Sequence, residues 1–505
     1  MKMFLKAISV GFCAFGLLGN ACAILPIEKL DSYKGAQAYL VQTKALPMVD
    51  IEVSIDAGDR YDPVGKSGLA DMTAGLMSYG AKGSKGVLTE AQIADEIADL
   101  GANIGLSVGG ERAILRIRSL SRKDLRDRAV QLAAAMLTAP TYDANIVARE
   151  KQRTITSLLE AETKPEFVLE RRFRKSVYGE YPLANSPTVK SVGAVNANDL
   201  KQFHQQFYRG DRMIVSIVGD VDRVEANEIV QALLKQIPQS GAPIASLPEL
   251  MRSPVEPLAQ REIQIPFDSQ QAHIAMGMTA VTRNNPDYFP LLVGNYVLGG
   301  GGFVSRLVGE VRDKRGFAYS VFSYFQPGRD TGTFEAGLQT RNDQADQALK
   351  VLQETVARFI EDGPSEAELA AAKANLINGY PLRLDSNRKL LDNLSVITWN
   401  QLPLNTLDIW TQYVAAVKKD DVVTTLFVAN THTPVLFFST LGKVYRLKVW
   451  RLPEGGPNTR GRPMVNLLPL AKDETISTVL PLPEDEDEWG KLHVMFATAK
   501  GSVRR

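Results

Sequence analysis

Between residues 36 and 240, segments that are apolar at every second position alternate with segments that have a helical repeat. From Val49 to Ile55 apolar and polar residues alternate, which is typical of a half-buried strand. Two more strands are predicted at Ala113–Ile117 and Met213–Val218. Helices are predicted at Gly68–Tyr79, Thr89–Leu100, Ser121–Leu137, Asn145–Glu162 and Glu225–Gln236. Ser121 and Asp143 stand where helix caps are expected, and this order of elements indicates an α+β unit.

A second α+β unit follows a proline-rich segment. Prolines recur between residues 237 and 259, which indicates an exposed linker. Gln271–Thr279 then has the character of the strand at residues 46–55. Further helices are predicted at Tyr288–Val297, Val304–Arg315, Ala345–Ile360 and Glu366–Leu376, and strands at Tyr319–Phe325 and Thr333–Leu338. We interpret the chain as a diverged repeat of two α+β lobes, residues 24–236 and 260–420, joined by the linker 237–259.

The last part of the chain, residues 421–505, has a different pattern. Short alternating segments are separated by glycine and proline: Asp421–Ser439, Gly442–Arg451, Arg460–Leu470 and Val494–Val503. This spacing predicts a small all-β fragment.

The N-terminus has the pattern of a secretory signal. Lys2 and Lys6 precede the apolar run Ala7–Leu18, and Ala21-Cys22-Ala23 offers a cleavage site. Residues 1–23 are therefore predicted to be a signal peptide that exports the chain to the periplasm. The run is short for a membrane span, so no stable span is expected after cleavage, and a retained anchor is the alternative.

Composition narrows the chemistry that the exported chain can perform. Both cysteines, Cys13 and Cys22, lie in the predicted signal, so disulfides and thiolate zinc sites are excluded from the rest. The four histidines are far apart and form no ligand spacing. A net charge of +1 gives no general attraction to nucleic acid.

Several short motifs support a family resemblance. They are Ala57-Gly58-Asp59-Arg60, Gly68-Leu69-Ala70, Tyr79-Gly80, Val218-Gly219-Asp220 and Val311–Ser320. Residues 36 to about 420 resemble the pitrilysin/insulinase-like zinc peptidases, of the short bacterial type. The resemblance implies a fold of two homologous pitrilysin-like α/β lobes.

The resemblance also shows where the zinc ligands of this family are lost. The family's His-x-x-Glu-His motif falls on Asp71, Ala74 and Gly75, which share one helical face. The further glutamate ligand, seven residues after the position of Glu150, falls on Ser157. These side chains cannot replace the zinc ligands, so no cofactor is expected in this chain. Asp71 is then expected to be an exposed or capping carboxylate.

A motif of the second lobe is intact. The resemblance implies that Arg312 and Tyr319, seven residues apart, bind substrate and stabilise the transition state. A guanidinium can hold a peptide carbonyl or carboxylate, and a phenol can donate to an oxyanion. Without the family, a surface arginine and a strand-packing tyrosine are the alternative. The run Gly299–Gly302 resembles a flexible loop that aligns an extended peptide; no Gly-Lys-Ser/Thr follows it, which disfavours nucleotide binding.

These features lead to a hypothesis of divided labour. The chain is predicted to be the zinc-less subunit of a heterodimeric metallopeptidase whose substrate is peptide and whose partner is a zinc-bearing paralogous subunit. A stand-alone peptide-binding clamp is one alternative. A DNA-topology accessory that acts through residues 421–505 is the other.

The tail carries a second resemblance. Residues 421–505 closely resemble the start of the C-terminal DNA-wrapping domain of the DNA gyrase A protein, with one blade of a β-pinwheel present. Several basic residues could contact phosphates: Lys443, Arg446, Lys448, Arg451, Arg460 and Arg462. The acidic run Glu484–Glu488 offsets them, and DNA binding is disfavoured. The chain is interpreted as a fusion, in which Val435–Phe438 is a candidate to replace the last strand of the second lobe.

Overall fold

A computed structural model describes residues 26–84, 86–248, 250 and 262–422, with shorter pieces of the tail. The tail pieces are residues 434–439, 441, 443–448, 467–471, 476–482, 496–497 and 503–504. The predicted signal peptide, residues 1–23, lies outside the described residues. Within the described ranges, no helix combines the length and the apolar character that crossing a membrane requires. We call residues 26–248 the first half and residues 262–422 the second half.

The first half contains a mixed six-stranded sheet with the order β1-β2-β8-β3-β7-β6. The strands are β1 (Glu28–Lys29), β2 (Gln37–Gln42), β3 (Met48–Ile55), β6 (Asn103–Val108), β7 (Ala113–Leu120) and β8 (Met213–Gly219), and a separate hairpin is formed by β4 (Gly80–Gly83) and β5 (Gly86–Thr89). β3 pairs antiparallel with both β7 and β8, and every residue after Met48 is buried. β3 is therefore the centre of the core of the first half.

Helices cover this sheet and confirm most of the predicted helical segments. They are α1 (Leu69–Gly75), α2 (Glu90–Asp99), α3 (Lys123–Thr138), α4 (Ala144–Ala161), α5 (Pro165–Tyr178), α6 (Val189–Gly193), α7 (Ala197–Phe207) and α8 (Arg223–Leu234). Asp143 caps α4, since its carboxylate accepts from the backbone of Asn145 and Ile146. The predicted cap Ser121 is wrong, because α3 begins two residues later and the Ser121 hydroxyl donates to Asp220 instead.

The second half has a smaller antiparallel sheet with the order β10-β11-β9. Its elements are β9 (Gln271–Ala280), β10 (Val321–Pro327), β11 (Gly332–Arg341), α9 (Tyr288–Asn295), α10 (Ala345–Asp362), α11 (Glu366–Asn378), α12 (Asn387–Trp399) and α13 (Thr406–Ala416). Two π-helical turns, Tyr296–Gly300 and Val308–Asp313, lie between α9 and β10. A separate apolar core joins β11 to α10, α11 and α13.

Each half packs one of its helices against the sheet of the other half. α12, from the second half, packs on β8 and β3 of the first. α5, from the first half, packs on β9 of the second. Gly277 permits this approach, because a Cβ atom there would lie 2.6 Å from Cζ of Phe173. The result is a mixed α/β structure whose two sheets are linked by exchanged helices.

A buried carboxylate fixes α12 to the first sheet. Glu52 on β3 is 0% exposed. It accepts from Ser54 (2.7 Å), from Nε of Arg116 (2.9 Å) and from the hydroxyl of Ser395 on α12. Arg112 donates to the same Ser395 hydroxyl at 2.9 Å. Such a carboxylate is tolerated only while its partners stay in place, so the position of α12 is specified by this network.

Glu111 makes a second contact between the halves, at the β10–β11 turn. Its carboxylate accepts from the backbone of Arg329 at 2.9 Å and of Asp330 at 3.1 Å, and from the indole of Trp399 at 3.2 Å. Asp330 also pairs with Arg60, which is bonded to Asp56 at 2.8 Å. The turn and the end of α12 are thus held against the first half by charged groups.

The described part of the tail forms its own small sheet with the order β13-β12-β14. Its strands are β12 (Pro434–Ser439), β13 (Val444–Lys448) and β14 (Ile476–Pro481), and β15 (Phe496–Ala497) pairs with β16 (Val503–Arg504). Val435 and Phe437 form a small core with Leu468. The idea that Val435–Phe438 replaces the last strand of the second half is wrong, because this segment pairs with β13 and β14. Arg451, Arg460 and Arg462 lie outside the described residues.

The buried network predicts a large loss of stability for Glu52→Ala. The substitution leaves Arg116 and Ser395 without their acceptor, so the free energy of unfolding should fall by about 3–5 kcal/mol. Urea denaturation measures this change. The matched control is Asp392→Ala, which removes the half-exposed partner of Arg116 and should cost at most about 1 kcal/mol. Equal losses in the two variants would contradict the role assigned to Glu52.

Candidate functional site

The three positions of the degenerate zinc motif lie on α1. Asp71 and Gly75 are exposed, and Ala74 is fully buried. No atom lies within 4 Å of the position that a Cβ would take at Gly75, so this face of the helix opens onto free space. α1 starts at Gly68, whose φ of 99° suits glycine, and Asp62 accepts from the backbone of Gly68 at 2.6 Å. The helix expected from the sequence is thus present and lacks metal-binding side chains at two of these three positions.

Ser157 lies on the exposed surface of α4. The reference residue on the same helix, Glu150, is bonded to Arg149 at 2.7 Å and paired with Arg153 at 3.1 Å. Glu150 is therefore satisfied by neighbouring arginines. A hydroxyl at the position of the third ligand has no charge to offer a metal ion.

Three carboxylates near the start of α1 influence one another. Burial raises the pKa of Asp59 to about 6, and the charge of Asp71 raises it further while Arg174 lowers it. Burial raises the pKa of Asp62 to about 7, against the effect of its hydrogen bonds to Ala70 and Gly68. The pKa of Asp71 is also raised, because the surrounding protein removes water from its carboxylate although the side chain reaches the surface. These three carboxyl groups, which we call the acidic recess, therefore take up protons more readily than exposed carboxyl groups do.

The donor set does not fit zinc. Of the motif positions Asp71, Ala74, Gly75 and Ser157, Asp71 alone offers a strong ligand, and zinc sites in proteins use three or four. In the described ranges, no three histidine, cysteine, aspartate or glutamate side chains are grouped closely enough to hold a metal ion. No catalytic step at this site can therefore be assigned to a metal held by the described residues.

Arg312 and Tyr319 are brought together in the second half. The guanidinium of Arg312 lies 5.4 Å from the ring centre of Tyr319 and 4.8 Å from that of Phe303. Tyr319 is 89% exposed, and Phe303 and Val304 are each 77% exposed. We call Phe303, Val304, Arg312 and Tyr319 the cation–aromatic cluster. Exposed aromatic rings close to a cation form a surface that can receive a ligand.

The secondary structure of the segment that carries Arg312 and Tyr319 differs from the prediction. The predicted helix over Val304–Arg315 is a 3-10 turn followed by a π-helical turn, Val308–Asp313. The chain then reverses at Gly316, where φ is 64°, and its amide bonds to the carbonyl of Arg312 at 2.8 Å. Tyr319 precedes β10 and is not part of that strand, so it is free of the packing that a strand position would impose.

The glycine run is a closely packed helical turn, which corrects the expectation of a flexible loop. A Cβ at Gly299 would lie 2.5 Å from the backbone nitrogen of Ser323, and one at Gly301 would lie 2.6 Å from the carbonyl of Tyr296. Gly302 has a φ of 62°, which favours glycine. The glycines thus set the path of the chain into Phe303 and Val304.

Ion pairs hold the segment that carries Arg312. Arg306 forms two 2.7 Å bonds to Glu368 on α11, and Glu310 accepts from Lys314 and Arg315 at 2.7 Å. These hydrogen bonds lower the pKa of Glu368 and of Glu310 to about 2. Arg312 itself forms no ion pair within the described part of the chain. Arg306, Glu310, Lys314 and Arg315 are thus paired, and the guanidinium of Arg312 is available to a ligand.

Sequence reasoning identified Arg312 and Tyr319 and missed Phe303 and Val304. A signal was present, since two large apolar residues directly follow the glycine run, where no helical or strand repeat assigns them to a core. The cluster can bind a carbonyl or carboxylate through the guanidinium and an apolar or aromatic side chain against the rings. Hydrolysis would need a nucleophile or activated water, and the cluster offers neither.

Comparison with known proteins agrees with this architecture. Residues 39–189 match the model of the insulinase family, peptidase family M16, and residues 194–376 match the model of the peptidase M16 inactive domain. Residues 39–376 belong to the M16 peptidase family. The crystal structure of a peptidase M16 inactive domain from Pseudomonas fluorescens is similar, with a TM-score of 0.72 and 28% identity over 78% of this chain and 93% of that one. The fold is that of an inactive M16-family protein.

Curated relatives of similar length carry contrasting names. The non-peptidase homolog YmxG of Helicobacter pylori is 24% identical over 80% of this chain and 90% of that protein. The uncharacterized zinc protease YmxG of Bacillus subtilis is 24% identical over 73% of this chain and 87% of that protein. The missing ligands of this chain place it beside the non-peptidase homologue.

The tail matches a different family. Residues 433–483 match the model of the DNA gyrase C-terminal domain. The DNA gyrase A protein of Rickettsia bellii is 54% identical over 90 residues, which are 18% of this chain and 10% of that protein. The chain thus spans a tenth of the length of the gyrase A proteins that it matches.

The acidic recess predicts a pH-dependent gain of stability for Asp59→Asn. The pKa of Asp59 is about 6 in the folded chain and 3.8 when exposed, so ionising it costs the folded state free energy as pH rises between these values. At pH 8 the variant should be more stable than the parent by about 1–2 kcal/mol after screening by water. The gain should disappear below about pH 4, where the carboxyl is protonated in both states.

Thermal unfolding from pH 4 to pH 8 checks this expectation. Asp95→Asn, at an exposed position of α2, is the control and should show no such trend. A difference between Asp59→Asn and the parent that is the same at every pH would rule out the proposed cause.

Proposed function

We propose that this chain is a non-catalytic M16-family subunit that binds an extended peptide at Arg312 and Tyr319 and works with a zinc-bearing paralogous subunit. The partner carries out hydrolysis, and the pair acts on peptides in the periplasm, where the predicted signal directs the chain. One observation carries the proposal: the cation–aromatic cluster is complete, whereas the zinc-motif positions of the first half have lost their ligands.

The geometry of the cluster supports a peptide ligand. The rings of Phe303 and Tyr319 both contact the guanidinium of Arg312, and these contacts restrict its movement before a ligand arrives. A pre-oriented guanidinium loses less freedom on binding, so more of its interaction energy appears as affinity. Its edge can hold a backbone carbonyl while the exposed rings pack on a neighbouring side chain. An extended peptide that another subunit cleaves would be held by these two kinds of contact.

The size of the fold supports a second M16 unit. The periplasmic protease PqqL of Escherichia coli has the same fold, with a TM-score of 0.63 at 17% identity; the match covers 83% of this chain and 47% of PqqL. The first half of PqqL alone is matched over 86% of its length. This chain thus corresponds to about one half of that protease, and a paralogous subunit with an intact His-x-x-Glu-His motif would supply the other half.

The proposal predicts that Arg312→Ala lowers peptide hydrolysis by the assembled pair at least tenfold. Loss of a charged hydrogen bond to the substrate costs about 1.5–3 kcal/mol, which corresponds to that factor or more. The measurement is the cleavage rate of a fluorogenic peptide library by the copurified paralogous subunit, with and without this chain. Phe303→Ala is expected to raise KM more than it lowers kcat, because it removes packing present in the bound ground state.

Arg341→Ala is the matched control, since Arg341 is an exposed arginine of the same half that pairs with Asp343. It should leave the rate unchanged. If this chain binds the peptides through Arg312 but never accelerates the partner, the function is that of a peptide-binding clamp. If neither binding nor cleavage depends on Arg312, the proposal fails.

A further inference from the structure

β9 is the edge strand of the second sheet, whereas β3, the equivalent strand of the first half, lies in the interior of its sheet. β3 pairs on one side with β7 and on the other with β8. In the described ranges, β9 pairs with β11 alone. Burial reflects this difference: seven of the eight residues of β3 are buried and none of the ten residues of β9 is. One long edge of β9 therefore forms no ladder with any described strand.

The exchanged helices show the same contrast. α12 packs on two strands of the first sheet and has eight buried residues out of thirteen. α5 packs on β9 and has one buried residue, Val177, out of fourteen. Its apolar side chains Phe167, Val168, Leu169 and Phe173 are only partly covered. In the first half the place beside β3 and beneath α12 is occupied by β8, whereas no described strand pairs with the corresponding edge of β9.

The described residues that follow the second half do not form a strand on this edge. Val422, the last described residue before the tail, is buried in the core of the second half, where a Cβ at Gly294 would meet it at 2.9 Å. The next described strand, β12, is already paired on both sides within the tail sheet. After α6 the first half continues into α7, β8 and α8, whereas the second half is followed by the tail.

β9 also lacks the features that normally protect an open edge. Its sequence, Gln271–Ala280, contains no lysine, glutamate, aspartate, arginine or proline. Soluble proteins usually place such residues on exposed edge strands to prevent pairing with other chains. A neutral edge accepts a neutral strand without a desolvated charge, so the electrostatic match favours an uncharged donor.

We propose that β9 and α5 form an acceptor groove for an uncharged, β-branched strand that another polypeptide donates antiparallel to β9. The chemistry of the donor follows from β8, Met213–Gly219, which fills the equivalent place in the first half with no charged residue. Main-chain hydrogen bonds to β9 would supply affinity, and apolar side chains beneath α5 would supply specificity. This interaction surface goes beyond the proposed function, since it involves neither Arg312 nor the zinc-bearing subunit.

The test uses the full chain and a synthetic peptide with the sequence of β8, Met213–Gly219, blocked at both ends so that it carries no charge. Fluorescence anisotropy should detect binding, and hydrogen exchange within residues 271–280 should slow at least tenfold when the peptide is present. A peptide with proline in place of Ile217 should not bind, because proline cannot continue a strand ladder.

Two variants locate the site on one edge of the sheet. Met278→Lys, on β9 at a 45% exposed side chain, should weaken binding at least tenfold, because lysine guards edges against pairing. Tyr324→Lys, at a 49% exposed side chain on β10 at the opposite edge, should leave binding unchanged. Circular dichroism confirms that both variants fold.

Each other outcome would overturn the proposal. Slow exchange of residues 271–280 without peptide, at any protein concentration, means that the chain fills the groove from within. Protection that grows with protein concentration, in a dimer that Met278→Lys dissociates, means that a second copy fills it. Peptide protection confined to β6 or β10 means that another edge binds the strand. If the chain is folded and the β9 amides exchange rapidly, but the peptide does not bind, there is no acceptor groove.

Discussion

The structure depends on a carboxylate that has no access to water. Glu52 sits in the central strand of the first sheet. Arg112, Arg116 of β7 and Ser395 of α12 supply the hydrogen bonds of its buried carboxylate. One of those donors comes from a residue more than three hundred positions away in sequence. The charge therefore specifies which helix covers the sheet and in what register, which an apolar contact alone would define less sharply.

The candidate site follows from how the second half is held. Ion pairs on either side of Arg312 consume the neighbouring charges, and the glycine turn directs Phe303 toward the same guanidinium. The first half retains the helix of a zinc peptidase and an acidic recess beside it, but not the ligands. The proposed role in peptide binding therefore rests on the cation–aromatic cluster of the second half.

Local sequence patterns predicted the strands β3, β7 and β11 and the long helices α3, α4 and α10, because their repeats are strong and uninterrupted. The same patterns did not reveal α5, α7, α12 or α13, and the exchange of α5 and α12 has no local signature, since it depends on pairings between distant residues. Arg312 and Tyr319 could be identified from a family motif. Phe303 was missed although it directly follows the glycine run, because its place beside Arg312 depends on a 3-10 turn and a π-helical turn that periodicity does not distinguish from an ordinary helix.

The exchange of helices has a consequence for how the chain folds. One face of the first sheet stays uncovered until α12 has been made and has docked, and the second sheet lacks one of its helices until α5 reaches across. Contacts of such long sequence separation form late and slowly. Because each half buries a sheet surface against a helix of the other, a chain cut within residues 241–248 should stay together, and its two pieces should unfold in one transition.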